Sequence, residues 1–118
     1  MRIRDKVKKP QRPVVAYEIL PPREKDGTLN SYAETISSLL SQTHIDAINI
    51  PEVHDEIGRG DRPIANQKRG EPREFGMLLQ DIVGIEAIIN RVVVHEPYDR
   101  QMRWMEETNT KYEIENMI

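Results

Sequence analysis

Four short apolar runs, each followed or preceded by a stretch of helical periodicity, constrain this 118-residue chain more than anything else in it. The runs are residues 14–20 (VVAYEIL), 46–50 (DAINI), 88–94 (IINRVVV) and 114–118 (IENMI). They are rich in β-formers and of strand length. Between them Tyr32, Ile36, Leu39 and Leu40, then Phe75, Leu78, Leu79 and Ile82, fall on single helical faces. Tyr98, Met102 and Met105 mark a third helix, with Trp104 and the two methionines expected to pack inward. The order is β-α-β-α-β-α-β, which argues for parallel strands joined by crossover helices.

Local signals sharpen the boundaries. Pro21-Pro22 stops the first run and Pro51 the second, because proline has no N–H for a ladder. Ser31 and Glu34 have capping-box spacing and predict a helix beginning there. Pro72 suits a first helical turn, Gly84 a helix end, and Asp99 the favourable first turn of the third helix. The first run is almost continuously apolar and reads as a strand buried in a parallel sheet.

Two architectures share this alternation: an open doubly wound sheet and the (β/α)8 TIM barrel. A nucleotide-binding open sheet carries a glycine-rich turn after its first strand. Here that turn is Pro21-Pro22-Arg23, which favours the barrel. A barrel has eight strands and about 250 residues. The expectation is therefore an α/β chain holding an incomplete TIM barrel, roughly its first half, over residues 14–118. A basic leader, expected to be solvated, occupies residues 1–13. Completion is expected from a continuation past Ile118, a second copy in a homo-oligomer, or a partner.

Composition narrows the function. A formal net charge of −3 gives no global case for nucleic acid or an anionic membrane. No cysteine is present, which removes disulfides and thiolate zinc sites. No apolar run has the length of a membrane span, and no apolar segment follows the basic start as in a signal peptide. The expected setting is the cytoplasm.

Barrel active sites lie at the carboxyl ends of the strands. Those ends carry Glu18, then Glu52 and His54, then His95 and Glu96. Glu18 stands alone among apolar neighbours. Burial would disfavour its charged form and suit it to general acid work, whereas the structural alternative is an ion pair with a neighbour such as Arg23. Glu52, His54, Asp55 and Glu56 lie in a charged loop whose spacing matches no metal motif, so no metal site is assigned. Glu52, His54 and His95 remain candidates for substrate or cofactor contact. Arg59, Arg62, Lys68, Arg69 and Arg73 are either a solvated loop or a holder for a phosphate or carboxylate tail.

Residues 17–23, Tyr-Glu-Ile-Leu-Pro-Pro-Arg, resemble the first-strand motif of methylenetetrahydrofolate reductases. A helix at similar distance and the Asp46-Ala-Ile-Asn-Ile strand extend the likeness in layout over residues 14–118. The resemblance implies an oxidoreductase of one-carbon metabolism and methionine biosynthesis that reduces methylenetetrahydrofolate to methyltetrahydrofolate. It implies Glu18 as the general acid that helps open the five-membered ring. It also implies FAD as the flavin, recharged by NAD(P)H. The chain departs from the pattern in reading Pro51-Glu52 where the family often has threonine, and in holding His95 beyond Val92-Val93-Val94. A non-catalytic barrel subunit or binding module without flavin contacts is the alternative.

Overall fold

The computed structural model describes residues 2–53, 69–94 and 96–118. Helix α1 (Ile3–Lys8) is followed by strand β1 (Ala16–Glu18), a 3-10 turn (Glu24–Asp26), helix α2 (Leu29–Leu40) and strand β2 (Ala47–Pro51). Helix α3 (Pro72–Val83), strand β3 (Glu86–Asn90), helix α4 (Tyr98–Thr110) and strand β4 (Asn116–Met117) complete the order. The strands form one sheet in chain order, β1-β2-β3-β4, and every pair is parallel. The protein is thus α/β with a four-stranded parallel sheet. Among the described residues its strand order is sequential, with no reversal of the kind at which an open doubly wound sheet places its ligand crevice.

Strand alternation sorts the sheet into two unlike faces. Ile48 and Ile50 of β2 and Ala87 and Ile89 of β3 are fully buried beneath the helices. Phe75 and Leu79 of α3 and Ala33 and Leu40 of α2 complete that core, with Ile114 entering just before β4. Gly76 lets α3 approach closely: a Cβ there would lie 3.1 Å from Ile114 Cδ1, 3.2 Å from Ala87 Cβ and 3.3 Å from Ile50 Cδ1. The opposite face carries Glu18, Asn49, Ile88, Asn90 and Asn116, all half-buried or exposed.

Residues 1–13 do more than the expected solvated leader would. Helix α1 ties together the amino ends of three strands. The Ile3 amide donates to Glu86 Oε2 at 2.5 Å, Arg2 pairs with Glu115 at 2.7 Å, and Lys6 pairs with Asp46 at 3.0 Å. Arg12 adds a two-pronged bond to the same Asp46 carboxylate at 2.8 and 3.0 Å, and the Val15 amide donates to it at 2.9 Å. A lone buried carboxylate just ahead of β2 is unfavourable unless paired, and two of the leader's cations supply the partners. The Arg12 bonds, the Val15 amide and Lys6 hold the Asp46 carboxyl far below the usual carboxylate range.

Three boundaries differ from the sequence expectation. Helix α2 begins at Leu29, capped by Thr28, whose hydroxyl accepts from the Ser31 amide at 3.2 Å. Starting one turn early brings Leu29 against the core, so Ser31 becomes an exposed first-turn residue instead of the cap. Strand β1 is only three residues long and exposed throughout, because it lies at the sheet edge with one neighbour. Strand β3 ends at Asn90, leaving Val92, Val93 and Val94 at 50%, 45% and 77% exposure.

Helix α3 matches its punctuation. Pro72 occupies the first turn, and Gly84 closes the helix in the left-handed conformation at φ 72°. Helix α4 is rotated from expectation. Thr108 is fully buried and Trp104 packs against the core, while Tyr98, Met102 and Met105 face outward. A helix with few apolar residues takes its inner face from its largest one, here the indole.

Candidate functional site

Chain order and parallel pairing bring the carboxyl ends of β1, β2 and β3 side by side. Glu18 is the last residue of β1 and pairs in register with Asn49 of β2. Asn90, on the same face of β3, ends that strand. The three side chains form a hydrogen-bonded row across the sheet. Asn90 Nδ2 donates to Asn49 Oδ1 at 2.8 Å, and Asn49 Nδ2 donates to Glu18 Oε2 at 3.3 Å.

Glu18 is exposed, not buried as its apolar neighbours suggested. It lies on an edge strand, and among the described residues no helix packs over the face it occupies at this end. The ion pair with Arg23 does not form, because Arg23 Nε binds Asp26 Oδ2 at 2.6 Å. The acid is therefore held by an amide and open to a ligand.

A separate cleft of about 590 Å³, which the row does not line, is bounded by Pro21, Pro51, Glu52, Arg73, Arg91 and Trp104, among others. Arg73 and Arg91 are each 90% withdrawn from solvent, with side-chain exposures of 10%. Both guanidiniums lie against the Trp104 ring, at 5.1 and 4.4 Å from its centroid, and Arg73 also lies 4.7 Å from that of Tyr112. Arg73 bonds Glu71 at 2.9 Å and comes within 3.5 Å of Glu107. Burial pulls the Arg73 guanidinium down, but the Glu71 hydrogen bond, with the charges of Glu71, Tyr112 and Glu107, carries it above its ordinary value. Arg91 pairs with Glu96 at 2.5 Å and faces Glu52 at 3.9 Å.

Glu52 thus sits in the cleft as a counter-charge to Arg91, at 17% side-chain exposure. Arg69 also lines the cleft and donates to the Pro21 carbonyl at 2.8 Å. His54 and His95, with Arg59, Arg62 and Lys68, lie outside the described residues. Among the described residues no group of three or more metal-capable side chains stands together, and no helix is long and apolar enough to cross a membrane.

Sequence reasoning missed the two asparagines and Arg91. The signal was present: Asn49 interrupts Ala-Ile-Asn-Ile and Asn90 interrupts Ile-Ile-Asn-Arg. An amide within an apolar strand needs hydrogen-bond partners, and each supplied the other's. Compared with known proteins, the chain matches no family model and no curated protein.

Proposed function

We propose that this chain is the first half of a (β/α)8 barrel and belongs to a methylenetetrahydrofolate-reductase-like oxidoreductase. The proposed reaction converts methylenetetrahydrofolate to methyltetrahydrofolate, with Glu18 as the general acid. The observation that carries the reading is the place of that carboxyl group. It stands exposed at a strand's carboxyl end, and among the described residues no helix covers its face, an amide is its bonded partner and no cation pairs with it. A ligand laid on this face meets the acid directly. The sequential, all-parallel strand order supports the barrel. Both β1 and β4 have one neighbour each, so four further strands could close it.

The resemblance implies FAD, which would supply the electrons and be recharged by NAD(P)H. The described residues do not fit a flavin cradle. The two buried guanidiniums in the cleft each already face two carboxylates, which leaves them poorly suited to a diphosphate. The role assigned to this chain is accordingly that of proton donor to the folate. The same neutralised cleft favours a second reading, a barrel subunit that binds folate without flavin.

The test is made with the full-length protein. Glu18→Gln should slow folate reduction by a hundredfold or so while leaving flavin reduction by NAD(P)H intact. Equal losses in both half-reactions would remove Glu18 from its role. Colourless protein that binds folate in calorimetry but does not reduce it would select the second reading.

A further inference from the structure

We infer that Asn49, itself fixed by Asn90, is a positioning residue that decides which oxygen of Glu18 delivers the proton. The inference rests on the reading of Glu18 as an acid.

Ionised, or protonated on Oε1, Glu18 offers Oε2 as an acceptor, and Asn49 turns its NH2 group toward it. The amide's carbonyl then points the other way, where Asn90 Nδ2 donates to it at 2.8 Å. One bond therefore dictates the other. If residue 90 could not donate, Asn49 would lose the contact that selects this orientation. The strands holding the row are fixed by their ladder, with Glu18 opposite Asn49 and Asn49 opposite Ile88, two residues before Asn90 on the same face. Asn49 Nδ2 meets Oε2 of Glu18 at 3.3 Å. Oε2 is thereby engaged as an acceptor, and Oε1 is left as the oxygen that carries the transferable proton. An acid on an exposed edge strand gains from such a tether, because an untethered glutamate side chain samples many rotamers.

Asn90→Asp tests this in the full-length protein. Aspartate at 90 only accepts, so it draws the NH2 of Asn49 to itself and turns the Asn49 carbonyl toward Glu18. We expect folate reduction to slow about tenfold or more in kcat, with KM changed less than twofold and flavin reduction by NAD(P)H unchanged. Asn90→His keeps an N–H donor and should recover most of the rate. In a Glu18→Gln background, Asn90→Asp should slow the reaction no further. An unaffected Asn90→Asp enzyme, or an equal loss in both backgrounds, overturns the inference. A second readout needs no activity: the Asn49 side-chain amide signals in 15N-labelled protein should shift in both Glu18→Gln and Asn90→Asp. Unmoved signals overturn the row. Shifted signals in a protein that does not reduce folate would uphold the row and reject the folate reading instead.

Discussion

Replacing Gly76 with alanine sets two physical effects against each other, and the structure says which wins. In an open helix the change would gain about 1 kcal/mol, the difference in helix propensity. At this position the new methyl would stand 3.1, 3.2 and 3.3 Å from Ile114 Cδ1, Ala87 Cβ and Ile50 Cδ1. Comfortable carbon contacts are about 3.5–4.0 Å. The two isoleucine methyls can turn aside, but the Ala87 Cβ is fixed to the β3 backbone. Helix α3 must therefore lift from the sheet, and overpacking of this kind costs roughly 1–3 kcal/mol. With about 2 kcal/mol of strain, the net is a loss of about 1 kcal/mol. That corresponds to a fall of about 4 °C in Tm. Urea unfolding should show a lower midpoint with the m value unchanged. Gly84→Ala is the informative comparison. Nothing lies within 4 Å of its would-be Cβ, yet φ is 72°, so a loss of about 1 kcal/mol there arises from backbone conformation alone. Gly84→Asn should recover part of it, whereas Gly76→Asn should not. Unchanged or raised stability in Gly76→Ala would refute the close approach of α3 to β2 and β3.

Other perturbations probe different parts of the fold. Thr28→Ala removes the acceptor of the Ser31 amide and should lower stability by about 1 kcal/mol in urea melts, as for other lost caps. Asp46 has a carboxyl pKa depressed on folding, so its stabilisation is complete above the ordinary carboxylate value and drains away as the pH falls below about 4 toward the native one. Asp46→Asn should destabilise the protein at neutral pH and flatten that acid limb, read from unfolding midpoints across the pH series. Met102→Gln and Met105→Gln should each stay within about 0.5 kcal/mol of the parent, since both side chains face outward. Trp104→Ala, which removes the ring that both Arg73 and Arg91 lie against, should cost several times more, about 2–3 kcal/mol in the same melts.

Much of the architecture was legible because it depends on local chemistry. Proline at 72 and glycine at 84 mark the limits of α3 through restrictions carried by single residues. The alternation of apolar runs with helical stripes gave the parallel α/β order because each period matches one kind of backbone geometry. The site was partly legible: Glu18 at a strand end and Glu52 just past another were both placed at the carboxyl edge. Their surroundings were not. Glu18 was expected to be buried among apolar neighbours and is exposed, and Glu52 faces Arg91, far along the chain.

By itself the sequence determined the alternation of strands and helices from β1 to β4, the limits of α3 at Pro72 and Gly84, and which acid stands at the end of the first strand, but neither helix α1 nor the bounds of β1, α2 and β3. Only the tertiary structure decided that Lys6 and Arg12 close on Asp46, that the indole and not the methionines turns α4 inward, and that two asparagines line up beside Glu18. The division has one cause. Backbone geometry follows from neighbours a few residues apart, whereas the partner of a charge or an amide is chosen by strand register and helix rotation, which are properties of the packed chain.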